Sequence, residues 1–304
     1  MTRQEIKEKL RGIFLPVVTP FDRHGRIDET RFRENLLLYR EAGLAGIVVA
    51  GSTGEAPYLT ERERLRLVEA ARKVIRPPQL LIAGTGLEST RETLRLSREA
   101  AARGADAVLV LTPNYFKSRM NSTALIGHFR AVADSVRRHV IVYHIPQFTG
   151  IRMDPEAIGQ LSRHPNIVGL KESSGDLAFV RAILRKVRPP FRVLVGSVLI
   201  LLDALRAGAS GGVLGQAGFV PELCVGLYES FRRGQLRTAR DLQKRLAPLA
   251  HKIALPFGVA GVKAALDLSG YCGGAPRSPL TPLDKGSRQI IAVALQEARA
   301  GLEF

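Results

Sequence analysis

The chain has no tryptophan, and aromatic residues make up only 6% of its 304 residues, so the stacking platforms that single-stranded nucleic acids need are scarce. It has two cysteines, Cys224 and Cys272, with no CxxC pair, which argues against a disulfide framework or a thiolate zinc site. No apolar run exceeds strand length: "AVLVL" and "IFLPVV" fall far short of a membrane span. The start, "MTRQEIKEKLRGIF", is charged and lacks a signal-peptide core, so a cytoplasmic location and no membrane partner are expected. The nucleotide signatures are missing as well. No GxxxxGK[ST] occurs, and "GTGLES" places Ser89 where a dinucleotide fingerprint needs its third glycine. His24, His128, His139, His144, His164 and His251 are dispersed, so no metal cluster is expected, and no nucleophile elbow starts a serine triad.

What is abundant is positive charge. Lysine and arginine number 45 against 28 aspartates and glutamates, a formal charge of +17. The arginines are interleaved with acids and leucines, as in "ERERLRLVEAARK" and "RRGQLRTARDLQKR", rather than with aromatics. That pattern reads as solvated helical faces, so no nucleic-acid partner is expected; the surplus can still draw anionic substrates toward a cleft.

The chain repeats one rhythm: a short apolar strand, a turn, an amphipathic helix. Strands are expected at 13–21, 46–51, 80–86, 107–113, 140–146, 166–174, 192–197 and 211–216. They are almost wholly apolar rather than alternating, as parallel strands covered on both faces are. Between the second and third, Thr60 and Glu63 have the spacing of a capping box, which predicts a helix beginning near residue 61. Eight such units within about 230 residues predict an α/β fold of the (β/α)8 TIM-barrel type. An open doubly wound sheet is the alternative. After the eighth strand the pattern is purely helical; "PELCVGLYESFRRG" supplies the eighth barrel helix. The expected division is a catalytic barrel over residues 1–234 and a C-terminal helical appendage over 235–304.

Active groups of such a barrel gather at the C-terminal strand ends. The second strand ends in "GSTGE" (51–55), whose Ser52 and Thr53 N–H groups can face an anion, or which is a plain structural turn. The fourth leads to Tyr115 and the fifth ends at Tyr143; a lone tyrosine there serves packing or proton transfer. The sixth ends in "NIVGLKESSGD", placing Lys171 after Ile167, Val168, Gly169 and Leu170. This lysine either snorkels to water or is kept desolvated for chemistry. With a period of two, Lys171 and Tyr143 facing the barrel mouth turn Leu170 and His144 toward the helices, so His144 reads as structural. Burial lowers a lysine's pKa, and a free amine forms a Schiff base with a ketone.

The combination "GSTGE", "TPNYF", "YHIPQFTG" and "GLKESSGD" resembles the pyruvate-dependent class I aldolases of the dihydrodipicolinate synthase and N-acetylneuraminate lyase superfamily, over residues 12 to 283. The resemblance implies Lys171 as the Schiff-base lysine and Tyr143 as the proton carrier, with Ser52 and Tyr115 completing a relay. Tyr115 would act in many members from a neighbouring subunit. Ser52 and Thr53 would cradle the pyruvyl carboxylate, and Gly54, Ser173 and Gly196 complete the implied substrate-binding set. It further implies no cofactor beyond the covalent imine, a 2-oxo acid (pyruvate) as partner, and a homotetramer built from tight dimers.

For the aldehyde half, dihydrodipicolinate synthases usually place an arginine two residues after the YxxP proline. Here that position is Phe148, which cannot grip a carboxylate. "RMNSTALIGHF", "SRHPNIVGLKESSGD" and "PFGVAGVKAALDLSGYCGGAPRSPL" are similar to 4-hydroxy-2-oxoglutarate aldolases, although Thr53 stands where that branch often has asparagine. The expected activity is therefore cleavage of a 4-hydroxy-2-oxo acid to pyruvate and an aldehyde. The alternatives are condensation of pyruvate with aspartate semialdehyde, cleavage of a 2-keto-3-deoxy sugar acid, and an imine-forming regulator without turnover.

Overall fold

A computed structural model describes residues 3–301. Eight parallel strands close in sequence order into one barrel. They are β1 (Gly12–Pro16), β2 (Gly46–Val49), β3 (Leu80–Gly84), β4 (Ala107–Leu111), β5 (His139–His144), β6 (Ile167–Glu172), β7 (Arg192–Val195) and β8 (Gly211–Val213). The first is shorter than its apolar run, which extends to Phe21. Pro16 and Pro20 have no N–H to give a ladder, and the chain leaves the sheet at Pro16.

Alternation within these apolar strands is hidden in the sequence because both faces are buried. Phe14, Val48, Ile82, Leu109, Ile141 and Leu194 fill the barrel, and the N-terminal helix Arg3–Lys9 and Leu10 add Ile6 and Leu10 to the same cluster. Their neighbours Leu15, Ile47, Val49, Leu81, Val142 and Val193 pack under the surrounding helices. The helix expected near residue 61 spans Glu61–Val74, and both arms of its capping box are made between Thr60 and Glu63.

One strand departs from strict alternation. Val140 pairs with Ile167, but Ile141 pairs with Gly169, so Val168 is an extra residue on β6. Ile167 and Leu170, three apart, both pack on the helical side, while Val168 faces the interior. Such a bulge reverses the facing of every residue after it. Gly169 fits there because a Cβ would lie 2.7 Å from the Arg192 carbonyl oxygen and 2.9 Å from Leu10 Cδ2.

The helices expected as an appendage form one wall of the barrel mouth. Leu236–Leu249 runs through a π-helical turn at Ala250–Ala254 into Leu255–Leu268, and Gly258 (φ 51°, ψ −135°) breaks the second segment. By length and composition the run Leu236–Leu268 could cross a membrane, yet half of its most apolar stretch is buried inside the fold. Leu246, Leu249, Ile253, Ala265 and Leu266 belong to the cluster that packs outside the strands. The last helix, Lys285–Arg299, is tied back by Arg299, which donates to the Phe219 carbonyl (2.6 Å) and Glu222 (3.2 Å). Some of the arginines sit in surface pairs; Arg95 alone meets Glu61, Glu92 and Glu99.

Gly169→Ala forces a methyl onto backbone at the bulge, and we expect it to cost roughly 1–3 kcal/mol, read as a lower midpoint in thermal denaturation.

Candidate active site

The site is built from strand ends. β5 and β6 are in register so that Tyr143 lies beside Lys171 and His144 beside Glu172. The bulge at Val168 makes Lys171 an inward residue. It is 4% exposed, and its ammonium nitrogen sits 4.1 Å from the centroid of the Tyr143 ring. No carboxylate pairs with it among the described residues. Tyr143, also 4% exposed, has its hydroxyl 3.2 Å from Ser52 Oγ. Amine, phenol and hydroxyl thus form one continuous line from three strands, a geometry suited to moving a proton beside a reacting amine.

Ser52 and Thr53 lie in a turn held under strain. Ala50 (φ 53°) and Glu55 (φ 59°), neither of them glycine, are left-handed on either side of it. The Gly54, Glu55 and Ala56 N–H groups bond back to Gly51 and Ser52 carbonyls at 3.0, 3.0 and 3.2 Å. The Ser52 and Thr53 N–H groups have no acceptor among the described residues, which leaves them free for an anion. Gly54 is required by crowding: a Cβ there would lie 2.9 Å from the Val17 carbonyl oxygen.

The turn is anchored from the C-terminal helices. Glu55 is wholly buried with one oxygen 2.6 Å from the Lys263 ammonium, and its other oxygen accepts the Arg277 N–H at 2.7 Å. Lys263 also donates to the Ala275 carbonyl at 2.9 Å. Burial pulls the Lys263 ammonium below the ordinary lysine range, opposed by the attraction of Glu55. The Arg277 guanidinium adds contacts to Glu63 (2.7 Å) and the Gly25 carbonyl (2.6 Å). Sequence reasoning passed over Lys263. The signal was a lysine inside the apolar helical run "VAGVKAAL".

Above Lys171 opens a cavity of about 490 Å³, reached also by Thr53, Ser173, Gly196, Gln147 and Val259. Lys171 is its one charged lining residue. Ser173 is buried and its hydroxyl has no partner, and a Cβ on Gly196 would fall 1.9 Å from that oxygen, so Gly196 makes room for it. Phe148 (69% exposed) and Leu255 (66%) stand at the rim. Tyr115 is not brought in. It is 77% exposed, with its N–H held by Glu88 at 2.9 Å and its ring edge-on to the exposed Phe116.

A desolvated lysine on the sixth strand of a (β/α)8 barrel, beside a tyrosine and an anion-binding turn, defines the class: an aldolase-type lyase working through a Schiff base. The profile of the dihydrodipicolinate synthetase family matches residues 9–298, and the chain belongs to that family. It is 36% identical to a 4-hydroxy-tetrahydrodipicolinate synthase of Methanoculleus marisnigri, over 93% of this chain and 98% of that one. It is also 36% identical to a protein of Emericella nidulans named as a probable mitochondrial 4-hydroxy-2-oxoglutarate aldolase, over 88% of each chain. Among solved structures it resembles a dihydrodipicolinate synthase of Bacillus anthracis, with a TM-score of 0.90, 29% identity, and 94% and 97% of the two chains covered. A prophage protein of the family from E. coli K12, solved in complex with pyruvate, gives 0.90 at 28% identity, with 95% and 99% covered.

Lys263→Met leaves Glu55 buried without its counter-charge. We expect a loss of roughly 3–5 kcal/mol in urea denaturation, together with a raised KM for pyruvate-yielding substrates as the turn loosens.

Proposed function

We propose that the protein cleaves a 4-hydroxy-2-oxo acid to pyruvate and an aldehyde, with 4-hydroxy-2-oxoglutarate, giving glyoxylate, as the favoured substrate. The observation that carries this reading is the unpaired, desolvated Lys171 packed on Tyr143, itself in contact with Ser52. The Lys171 amine attacks C2, and loss of water leaves an iminium bonded to C3. Tyr143 takes the proton of the C4 hydroxyl and passes it toward Ser52. The C3–C4 bond then breaks, its electrons enter the iminium to form an enamine, and the aldehyde leaves. Protonation at C3 and hydrolysis release pyruvate and the free lysine; no metal or organic cofactor takes part. The carboxylate at C1 rests on the Ser52 and Thr53 N–H groups. The orphaned Ser173 hydroxyl supplies a donor for the distal end, where Phe148 offers none.

Reduction with borohydride in the presence of pyruvate should fix a three-carbon adduct on Lys171, located by peptide mass. An adduct on another lysine, or none, defeats the mechanism. Pyruvate release from 4-hydroxy-2-oxoglutarate should exceed both release from 2-keto-3-deoxygluconate and condensation of pyruvate with aspartate semialdehyde. The reverse order reassigns the substrate.

The relay has an open end. A second cavity of about 360 Å³ lies against Ser52 and Tyr143, bordered by Arg64, Glu88 and Asn114. We assign it to Tyr115 of a second copy, in a tight dimer within a homotetramer, because the chain's own Tyr115 points away from its site. Mixed oligomers of Lys171→Ala and Tyr115→Phe subunits should then recover activity that neither variant has alone; a fully active monomer in light scattering rejects the arrangement.

A further inference from the structure

Behind the Tyr143–Lys171 pair, on the helical side of the same two strands, lies a second pair that the reaction does not use. His144 and Glu172 are both 0% exposed, with Nδ1 of the imidazole 3.2 Å from Glu172 Oε1. The Met153 backbone N–H donates to His144 Nε2 at 3.3 Å. That nitrogen is therefore an acceptor, so the ring proton is on Nδ1 and points at the carboxylate. Glu172 Oε1 also accepts the Ser174 N–H at 2.8 Å, while Oε2 is buried without a partner. A half-satisfied carboxylate with a histidine beside the apolar cluster of the helical layer is an expensive way to fill space. Phe179, with its ring centroid 5.1 Å from that of His144, shows that hydrocarbon packs readily there.

The register explains the expense. Without the bulge, Ile141 would face Val168, and His144 would face Lys171 rather than Glu172. Lys171 would then point into the apolar helical layer beside His144, and Leu170 would take its place inside the barrel. The observed register sets His144 opposite Glu172 and Tyr143 opposite Lys171. The hydrogen bond between His144 and Glu172 exists only in the register that presents the lysine to the cavity. It is reinforced just beyond the pair, where the Ser173 N–H bonds the His144 carbonyl at 2.9 Å.

We infer that His144 and Glu172 are positioning residues that lock β5 and β6 in the bulged register and so hold the Lys171 amine against Tyr143. This rests on the Schiff-base reading above and goes further in assigning the outward pair a share in catalysis. The lock acts on the lysine and not on the anion turn, which is carried by β2, so its loss lowers kcat more than it raises KM.

The test compares His144→Leu, His144→Asn and the double variant His144→Leu/Glu172→Leu with the natural protein. Each is assayed for the rate of borohydride-trapped pyruvate adduct on Lys171, for kcat and KM, and for thermal midpoint. Misplacement of the amine by an ångström predicts a fall of about a hundredfold in trapping rate and kcat for His144→Leu, with KM changed far less. Asparagine keeps a donor near the Nδ1 position and should recover trapping to within about threefold. The double variant removes the buried polar pair and should match or exceed the natural midpoint while trapping as slowly as His144→Leu. Natural rates in a folded double variant, or an asparagine variant no better than leucine, overturn the lock. If the double variant does not fold, the asparagine–leucine comparison decides alone. Failure of the natural protein itself to form the adduct rejects the lyase reading instead, a result distinct from equal adducts in every variant.

Discussion

Side chains on a β-strand alternate between faces, and Lys171 reaches the barrel interior only because β6 carries one residue more than its partner strand. The placing of the lysine follows from that insertion. It turns the amine inward, sets it against Tyr143, and leaves Glu172 and His144 facing each other outside. An ammonium among hydrocarbon side chains is unfavourable unless paired. Here the ring of Tyr143 and the open cavity above are its surroundings, and no carboxylate neutralises it.

Two buried lysines illustrate how environment sorts one residue type into different roles. Lys263 is as inaccessible as Lys171 and also lies over an aromatic ring, that of Phe21. Its ammonium, however, is held by Glu55 and a carbonyl, and it anchors the turn whose Ser52 and Thr53 N–H groups have no acceptor among the described residues. Lys171 has no carboxylate partner among the described residues and lines the cavity; Lys263 is paired and anchors a turn. The pair also explains why the C-terminal helices cannot be regarded as ornament. They supply the counter-charge of the anion turn and, through the π-turn and the break at Gly258, the wall made by Ala254 and Val259.

The charge of the molecule and that of its cavity are nearly independent. Arginines outnumber the acids of the chain and only some of them pair with one, as Arg95 does, whereas the cavity holds a single charged side chain. The uncharged polar groups of the cavity are side chains such as Gln147 and hydroxyls such as that of Ser173. The replacement of an arginine by Phe148 fits this economy: the rim is apolar where the family's synthases usually carry a cation.

By itself the sequence determined the eight-unit barrel, the Thr60–Glu63 cap, the turn at 51–55 and the place of Lys171 and Tyr143 at neighbouring strand ends, because strand length, helical period, capping and short motifs are local properties written within a few residues of one another. It also placed Tyr143 and His144 on opposite faces. What only the tertiary structure decided was non-local. The insertion at Val168 is invisible in a stretch buried on both faces, where Ile167, Val168, Gly169 and Leu170 are apolar in either register. The N-terminal helix reads as merely charged until the barrel floor takes up Ile6 and Leu10. Lys263 meets Glu55 across some two hundred residues, and Tyr115 stands exposed, with its N–H held by Glu88 and its ring against Phe116. Contacts of this kind depend on which elements close upon which, and that is settled by packing rather than by any stretch of sequence.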